Sequence, residues 1–273
     1  AGGKRLRPLL GFLAAGRDTG PGLLRAAVAV ELIHSATLVH DDVLDAASLR
    51  RGRPTVVATA GRDIAIATGD LLFSRAFAEL AANGRADELR ILSDASSALA
   101  AGELLQREDA WDVGISRERY ERRCDLKTAR LFQAAAQLGA LEAGGLAEAL
   151  GDFGRRIGLA FQLLDDVLDV SGPAERTGKH RGTDLLDGTV TLPLILARER
   201  DPALAALELR ELRTPEQAAA VCDAIAATGA LAAAKEEALA IVESAKSGLP
   251  DGLGDGQRGA LELVADGVVE RYA

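Results

Sequence analysis

Residues 23–45 read LLRAAVAVELIHSATLVHDDVLD, and this stretch decides the fold. Apolar and small residues recur in it at steps of three and four, the spacing of one face of an α-helix. The stretch therefore predicts one buried helix that ends in Asp41, Asp42 and Asp45. On that helix the first and fifth residues of DDVLD lie on one face about 6 Å apart, so two carboxylates point the same way.

The same pentapeptide occurs a second time. Residues 159–169 read LAFQLLDDVLD and contain Asp165, Asp166 and Asp169. Like charges at the end of an apolar helix repel and lose solvation, at a cost of several kcal/mol, unless cations compensate them. Mg²⁺ prefers oxygen ligands and bridges carboxylates to phosphates. One DDxxD alone is more often a solvated helix end, but two copies, each preceded by apolar residues, predict a diphosphate clamped between two carboxylate pairs through magnesium.

The rest of the chain also favours helix. Aromatic residues are only 3%, and alanine, leucine, arginine and glutamate dominate. Helical patterns cover about 64–82, 87–108, 117–141, 146–170, 191–199, 215–227, 231–247 and 257–272. Glycine and proline interrupt these patterns, but no long polar linker separates them. We therefore predict one all-α domain over residues 1–273, a large multi-helix bundle.

Composition excludes several classes of protein. The 273 residues include 32 Lys and Arg against 41 Asp and Glu, a net charge of −9, which lacks the basic footprint of a nucleic-acid binder. Charges interrupt each apolar stretch before the roughly 18 residues of a membrane span. The two cysteines, Cys124 and Cys222, have no CxxC spacing and are predicted to be reduced packing residues. We expect a cytoplasmic protein without nucleic-acid partners or transmembrane segments.

Cationic residues gather in short segments, mostly beside glycine. The segments are GGKRLRP at 2–8, RRGRP at 50–54, KT at 127–128 and TGK at 177–179. Arginine forks and lysine ammonium groups suit phosphate oxygens, and glycine lets the backbone approach a ligand. Any one segment is more often a solvated surface patch. Together with the aspartates they predict two diphosphate sites, one that binds through metal and one that uses basic side chains alone.

These segments, with LIHSATLVHDD at 32–42 and GTDLLDG at 182–188, resemble the trans-isoprenyl diphosphate synthases, also called the polyprenyl synthetase family, nearly end to end. The resemblance implies an isoprenoid synthase-like bundle around a central cavity, and a homodimer. It implies a prenyltransferase that condenses isopentenyl diphosphate head-to-tail with an allylic diphosphate into a linear all-trans polyprenyl diphosphate. The implied cofactor is Mg²⁺, three ions per active site with substrate bound.

The resemblance also assigns roles to residues. Those expected to bind the diphosphate of isopentenyl diphosphate are Lys4, Arg7, His34 and Arg51. Those expected to hold the allylic diphosphate are Arg50, Lys127 and Lys179. The principal magnesium ligands are Asp41, Asp45 and Asp165, completed by Asp42, Asp166 and Asp169. The residues expected to act in catalysis are Lys127, Thr128 and Gln162, with Thr128 and Gln162 beside the developing carbocation.

Three departures from the family pattern stand out. Thr189 follows Gly188 where the family often has a lysine, and Arg130 stands where a small or apolar residue is usual. The family also usually has a helical segment before its GGKRxRP motif. We expect this domain to lack that extreme N-terminal segment, which would weaken the dimer or uncover the first substrate site.

Product length is expected to depend on the helix that leads into Asp41. The resemblance places the growing chain along that helix, and one helical turn rises about 5.4 Å, close to the reach of one isoprene unit. One turn back stand Ala36 and Thr37, which are too small to close a tunnel, and Ile33 follows. We therefore expect products longer than farnesyl diphosphate, from geranylgeranyl to a medium or long chain.

Three other interpretations remain. A class I terpene cyclase usually has a second motif that Asp169 and Pro173 do not match, and it steers cations with aromatic rings that are scarce here. A non-catalytic regulatory subunit of a heteromeric synthase would be expected to have lost an aspartate cluster or basic clamp. An acidic calcium-binding or structural helical protein would show EF-hand spacing, which is absent from the sequence.

Overall fold

The computed structural model describes residues 5–17, 20–172 and 180–270, and helices dominate it, as predicted. The first half contains α1 Leu6–Ala15, α2 Pro21–Leu44, α3 Val56–Ala60, α4 Arg62–Ala81, α5 Ala86–Glu108, α6 Arg117–Cys124, α7 Arg130–Glu142 and α8 Ala147–Ser171. The second half contains α9 Thr183–Leu186, α10 Leu192–Arg198, α11 Pro202–Ala205, α12 Pro215–Ala227, α13 Ala230–Ser247 and α14 Asp255–Glu270. A π-helical turn covers Asp125–Ala129, and a 3₁₀ turn covers Leu209–Glu211. Within the described ranges, the strands are a two-residue antiparallel pair, β1 Leu49–Arg50 and β2 Arg53–Pro54.

Most predicted helices are confirmed to within a few residues. The helix predicted over 215–227 begins and ends where expected, since Thr214 caps it, Gln217 completes the capping box and Pro215 occupies the first turn. Helix α1 was not predicted. The uninterrupted helix predicted over 117–141 is wrong at Asp125–Ala129, where the π-helical turn separates α6 from α7.

The chain divides into two compact units, each built from separate parts of the sequence. Unit 1 consists of Ala1–Leu99, Arg130–Arg155 and Gly248–Glu262, and unit 2 of Ala100–Ala129, Arg156–Ser247 and Leu263–Ala273. The first DDVLD therefore belongs to unit 1, and the second belongs to unit 2. That the units act as one domain stays a prediction.

The core of unit 1 is centred on α2, which packs against α1, α4 and α7. Its buried members on α2 include Ala29, Val30 and Ile33. They meet Leu80 of α4 and Leu92 of α5, among others. Burial of this apolar face stabilises the helix by roughly 25 cal/mol per Å² of apolar surface removed from water. The end of α2 therefore presents the first DDVLD from a helix fixed by its core.

The sequence spacing predicted a buried face of α2 through Leu24, Ala27, Val28, Ile33, Ala36 and Thr37. Ala27, Ile33 and Ala36 are buried, but Leu24 and Val28 are exposed, so this prediction is wrong at those two positions.

Helices α1 and α7 approach each other at two glycines. A Cβ built on Gly139 would collide with the backbone of Gly11, and one on Gly11 would lie 3.1 Å from the carbonyl oxygen of Ala135. The contact is therefore backbone against backbone, which a larger residue would force apart. Arg7, one turn before Gly11 on α1, lies with its guanidinium carbon 4.5 Å from the ring centroid of Phe132 on α7.

In unit 2, α6 and α13 both pack against α10. The side chain of Arg123 is only 4% exposed, and its guanidinium donates to the carbonyl oxygen of Val190, just before α10. Arg117 at the start of α6 forms a salt bridge with Glu237 of α13 at 2.5 Å. These contacts fix α6, which leads into the π-helical turn.

One described helix, α2, is long and apolar enough by itself to meet the length and hydropathy of a membrane span. Helices α12 and α13 meet those criteria only as a pair, which is bent by 71°. Ala29, Val30 and Ile33 of α2 lie in the core of unit 1, and 39% of the apolar window of this helix is buried. The predicted role of the cysteines is confirmed: Cys124 and Cys222 are buried and free.

A buried pair of carboxyl groups lies in unit 1 at the beginning of α5. Glu88 is 0% exposed and accepts a hydrogen bond from Nδ2 of Asn83 at 2.9 Å. Burial first, and then the adjacent carboxyl of Glu142, raises the pKa of Glu88 to about 7, although the nearby Arg85 opposes the shift. Arg85 is itself engaged by Asp87 at 2.9 Å. Glu88 is therefore protonated more readily in the folded chain than in the unfolded one.

Glu88→Gln should remove a pH dependence of stability. Because the folded-state pKa of Glu88 is raised, its contribution to stability is complete below the unfolded value of about 4.5 and is lost as the pH rises through about 7. Glutamine mimics the protonated acid, so the variant should exceed the wild type by about 2 to 3 kcal/mol at pH 8 and match it near pH 4. Urea denaturation of the wild type and the variant at pH 8 and at pH 4 measures the difference in unfolding free energy at each pH.

The matched control is Glu148→Gln, which changes an exposed glutamate. Its unfolding free energy should follow the wild type across the pH range. Equal stability of wild type and Glu88→Gln at pH 8 would show that Glu88 is ionised without cost in the folded protein.

Candidate active site

The first acidic motif lies at the C-terminal end of α2 in unit 1. Asp42 is 5% exposed and accepts a hydrogen bond at 2.7 Å from Nε of Arg50, which the β1–β2 turn brings back to it. Asp41 is half-buried and Asp45, which ends the helix, is exposed. The middle aspartate is therefore held by a protein cation, while the two outer aspartates lie one helical turn apart and can be reached from solvent.

A group of basic side chains lies in the same unit. Burial, and then the charges of Arg7, Arg51 and Arg50, lowers the pKa of His34 to about 3, so its imidazole is neutral at physiological pH. Burial also lowers the pKa of Arg7 to about 10, with Glu31 opposing and Arg51 adding to the effect. The Nε of Arg7 is buried and has no hydrogen-bond partner within the described part of the chain. Crowded cations with an unused donor favour an anionic ligand.

The second acidic motif lies near the C-terminal end of α8 in unit 2. Asp166 is 4% exposed and accepts hydrogen bonds from the hydroxyl of Tyr120 at 2.6 Å and from Nε2 of Gln162 at 2.7 Å. Asp165 is exposed, and Asp169 is half-buried. In both motifs the middle aspartate is buried and accepts side-chain hydrogen bonds, and the outer two are half-buried or exposed.

Asp184 of α9 adds a further carboxylate to this end of unit 2. Its backbone N–H donates to Oδ2 of Asp169 at 3.3 Å. Burial first, and then the charge of Asp184, raises the pKa of Asp166 to about 8, with Asp165 contributing in the same direction. Negative charge is therefore concentrated here.

Thr128 and Gln162 form a direct pair in unit 2. The Thr128 hydroxyl donates to Oε1 of Gln162 at 2.7 Å, and Gln162 in turn donates to Asp166. Because the hydroxyl hydrogen is committed to Gln162, the lone pairs of the Thr128 oxygen are directed elsewhere. An oriented oxygen of this kind stabilises positive charge that develops nearby.

The π-helical turn carries Lys127 and Thr128. A Cβ built on Gly102 of α5 would lie 2.6 Å from the backbone nitrogen of Lys127, so α5 and the turn meet through their backbones. π-helical turns are frequent at functional sites because they change which side chains share a face. Local helix propensity carries no sign of this tertiary contact, which is why the sequence pattern predicted an uninterrupted helix.

Lys127 is held by two residues of α5. Its ammonium group forms an ion pair with the carboxylate of Glu103 and donates to Oε1 of Gln106 at 3.1 Å. Its side chain is 29% exposed and remains accessible.

Magnesium fits these residues. The motifs offer only carboxylate oxygens, the donors that Mg²⁺ prefers. Among the described residues no three acidic, histidine or cysteine side chains come together as a closed metal cage. In proteins, Mg²⁺ usually keeps several waters and binds through one or two carboxylates together with the phosphates of a substrate. The outer aspartates of each motif are the side chains that would hold it.

The structure groups the predicted residues as follows. Unit 1 brings together Arg7, His34, Asp41, Asp42, Asp45, Arg50 and Arg51, and unit 2 brings together Lys127, Thr128, Gln162, Asp165, Asp166 and Asp169. Lys4 and Lys179 lie outside the described residues. Of the chain-length residues, Ile33 and Ala36 are fully buried, and Thr37 is half-buried with its hydroxyl bonded to the carbonyl oxygen of His34.

Arg130 and Thr189, which depart from the family pattern, both form hydrogen bonds in the structure. Arg130 is half-buried, and its Nη1 donates to Oε1 of Gln133 at 3.4 Å. The backbone N–H of Thr189 donates to the carbonyl oxygen of Asp184 at 2.8 Å. Thr189 therefore closes the turn that carries Asp184.

Sequence reasoning missed four polar residues of unit 2, namely Glu103, Gln106, Tyr120 and Asp184. Tyr120 is fully buried, and the phenol of a buried tyrosine usually finds a hydrogen-bond partner. Its helix-like segment gave no sign that the partner would be Asp166. Glu103 and Gln106 are three residues apart on one helix face, a spacing also typical of a solvated surface.

Similarity to known proteins identifies the family of this chain. Residues 1–228 match the model of the polyprenyl synthetase family. The chain belongs to that family, which confirms the resemblance found in the sequence.

Individual relatives agree with this assignment. The octaprenyl diphosphate synthase of Escherichia coli (strain K12) is 40% identical over 229 residues, which cover 82% of this chain and 67% of that protein. The geranylgeranyl diphosphate synthase of Methanosarcina mazei is 38% identical over 99% of this chain and 86% of its own length. A polyprenyl synthase from Caulobacter crescentus CB15, solved with calcium and isoprenyl diphosphate, superposes with a TM-score of 0.93 at 40% identity, covering 100% of this chain and 86% of that one.

Tyr120→Phe should destabilise unit 2. The change keeps the ring but removes one of the two donors to the buried carboxyl of Asp166, so the free energy of unfolding should fall by about 1 to 3 kcal/mol. Urea denaturation measures this loss. The control is Ser96→Ala, which removes a hydroxyl bonded to a helix carbonyl on α5. If both variants lose equally little, the Tyr120 hydroxyl does not hold Asp166.

Proposed function

We propose that this chain condenses isopentenyl diphosphate with an allylic diphosphate, in a reaction that depends on Mg²⁺, and makes a linear all-trans polyprenyl diphosphate longer than farnesyl diphosphate. The observation that carries the proposal is the arrangement common to both motifs. Protein donors hold the buried Asp42 and Asp166, whereas the outer aspartates of each motif are half-buried or exposed, so cations can reach them from solvent. The calcium and isoprenyl diphosphate of the Caulobacter crescentus structure support the same chemistry.

Bound magnesium would neutralise charge on the allylic diphosphate and make it a better leaving group. The bond between the allylic carbon and the diphosphate oxygen breaks, and its electron pair leaves with the diphosphate. Lys127 and Arg50 bind that leaving group, and Lys179 has the same proposed role. The oxygens of Thr128 and Gln162 face the positive charge left on the allylic carbon, as preorganised dipoles that need no reorganisation during the reaction.

The double bond of isopentenyl diphosphate then supplies the electrons of the new carbon–carbon bond. This leaves a positive charge on the other carbon of that double bond. A proton then leaves the carbon next to it, and the electron pair of the broken C–H bond forms the new double bond. The displaced diphosphate is the proposed acceptor of this proton. We propose that Arg7, His34 and Arg51, together with Lys4, bind the diphosphate of isopentenyl diphosphate through basic side chains alone. The neutral imidazole of His34 contributes a hydrogen bond rather than a charge to this group.

The chain retains all of the proposed catalytic machinery, which favours catalysis over a purely regulatory role. Both carboxylate motifs are intact, and Thr128 and Gln162 are oriented against Asp166. A regulatory subunit would have no need for this arrangement.

We also propose that the chain forms a homodimer through unit 1 and acts in the cytoplasm. One face of α4 presents small and apolar residues that are all exposed: Ile64, Ala67, Leu71, Ser74 and Ala78. They recur at steps of three and four, so they form one stripe along the helix. A stripe of this kind suits a second copy of the same helix in a symmetric contact.

Asp41→Ala and Asp165→Ala should each reduce magnesium-dependent turnover by several orders of magnitude, because each removes an outer carboxylate of one motif. Stability should change little, since each change relieves repulsion between the carboxylates of its motif. Consumption of labelled isopentenyl diphosphate over a magnesium titration measures the effect. If both motifs act in the same step, the double variant should be little worse than either single one. Near-normal turnover in either single variant would refute the proposed metal role.

Arg7→Ala should mainly raise the Michaelis constant for isopentenyl diphosphate, by about tenfold or more, and leave that for the allylic substrate largely unchanged. Steady-state kinetics with each substrate varied in turn measures the split. Arg17→Ala, which changes an arginine bonded to the carbonyl oxygen of Ala143, is the control and should have no kinetic effect. An equal loss for both substrates would remove Arg7 from the isopentenyl diphosphate site.

Ala36→Phe should shorten the product, because a phenyl ring one helical turn before Asp41 would fill the space proposed for the growing chain. Chromatography of products made from labelled isopentenyl diphosphate and several allylic starters measures chain length. Val28→Phe, on an exposed part of the same helix, should leave the length unchanged. A wild type that stops at farnesyl diphosphate, or an unaltered distribution in Ala36→Phe, would contradict the tunnel.

A further inference from the structure

We infer that Glu103 and Gln106 of α5 are positioning residues that direct the ammonium group of Lys127 toward the allylic diphosphate. The inference rests on the proposed function and deepens it. It concerns residues that sequence reasoning did not select, and it begins from the contacts of Lys127 in the protein without substrate.

An ammonium group has three N–H donors and no acceptor. In this protein, one donor of Lys127 is directed to the carboxylate of Glu103 and another to Oε1 of Gln106 at 3.1 Å. One donor therefore remains within the described contacts, and its direction is set by the other two. Since the side chain of Lys127 is partly exposed, that donor can reach a ligand.

Glu103 is itself held in place. Its side chain is 17% exposed, and its Oε1 accepts from Nε of Arg107 at 2.7 Å, which leaves Oε2 for Lys127. Burial opposes ionisation of this carboxyl, but Lys127 and Arg107 outweigh it and hold the pKa of Glu103 below its usual range. The carboxylate thus stays charged while it orients Lys127.

The backbone of Lys127 is fixed by the same helix. Gly102 precedes Glu103 and meets the nitrogen of Lys127 so closely that a Cβ would lie 2.6 Å away. Helix α5 therefore holds Lys127 at the backbone and at the tip of its side chain. A free lysine loses much rotamer entropy when it grips a ligand. Here that entropy is lost during folding, so binding of the diphosphate gains from preorganisation.

An exposed lysine–glutamate pair usually contributes little, so the second acceptor and the backbone contact distinguish this one from a surface salt bridge. Glu121 supplies the comparison. It pairs with Arg117 at 2.8 Å on the exposed face of α6, where both side chains are more than 40% exposed. Loss of that carboxylate leaves the arrangement around Lys127 intact.

The experiment measures steady-state kinetics of the full chain and of Glu103→Gln, Gln106→Ala and the control Glu121→Gln. We expect Glu103→Gln to raise the Michaelis constant for the allylic diphosphate about tenfold and to lower kcat, because the grip on the leaving diphosphate weakens. Gln106→Ala should have a smaller effect in the same direction. The Michaelis constant for isopentenyl diphosphate should stay within about twofold, and Glu121→Gln should match the wild type.

The decisive variant combines Glu103→Gln with Lys127→Gln. If Glu103 acts through Lys127, its substitution should have no further effect once Lys127 is absent, whereas a general structural role would add its own loss. Additive losses, equal losses for both substrates, or tighter allylic binding in Glu103→Gln would overturn the inference. Thermal melting identifies a variant that has lost its fold, and Gln106→Ala then decides alone. A wild type that consumes no isopentenyl diphosphate would instead overturn the proposed function itself.

Discussion

Repulsion between carboxylates at the ends of apolar helices is the constraint on which both halves of the candidate site depend. Each DDVLD motif places three acidic groups within two helical turns of a packed core. The chain meets this cost by giving the middle carboxyl to protein donors, an arginine in unit 1 and a tyrosine with a glutamine in unit 2. The outer carboxylates are half-buried or exposed, so external cations can reach them. The same pentapeptide thus performs one task with two different sets of partners.

The cations assigned to the two proposed diphosphates differ in how their charge is balanced. In unit 2, Lys127 already has an anionic partner in Glu103, and Arg50 in unit 1 has one in Asp42. Arg7 and His34 carry lowered pKa values because burial and neighbouring positive charges act on them together. Residues assigned to the metal-assisted diphosphate are therefore neutralised in advance. Arg7 and His34, which are assigned to the other diphosphate, lie among positive charges that an anionic ligand would neutralise.

Sequence reasoning succeeded where the signal was local. The three- and four-residue spacing of α2 predicted a core helix and the burial of Ile33 and Ala36, but it was wrong for Leu24 and Val28, which are exposed. The cap formed by Thr214 and Gln217 likewise belongs to one short segment. The repeated aspartates were identified because all three members of each motif lie within five consecutive residues. That the middle member of each motif would be the buried one was not predicted, because burial depends on neighbours that are distant in sequence.

What the sequence could not supply is tertiary in origin. The π-helical turn at Asp125–Ala129 accompanies a backbone contact with Gly102. The residues within the turn have no sequence feature that predicts this contact. The hydrogen-bond partner of Tyr120 is Asp166 of α8, which lies 46 residues later in the sequence. Polar residues whose partners are remote look like ordinary helix surface until the helices are packed.

The glycine contact between α1 and α7 has a consequence for how the family can vary. Gly11 and Gly139 set the distance between two helix backbones, and Arg7 lies one turn along the same helix as Gly11. A methyl group added at either glycine would push α1 outward and carry the guanidinium of Arg7 away from the ring of Phe132. By the role proposed for Arg7, change at these glycines would then alter binding of isopentenyl diphosphate, although neither glycine has a side chain that could touch it. Positions that never contact a ligand, such as Gly11 and Gly139, can thus limit which ligand the protein binds.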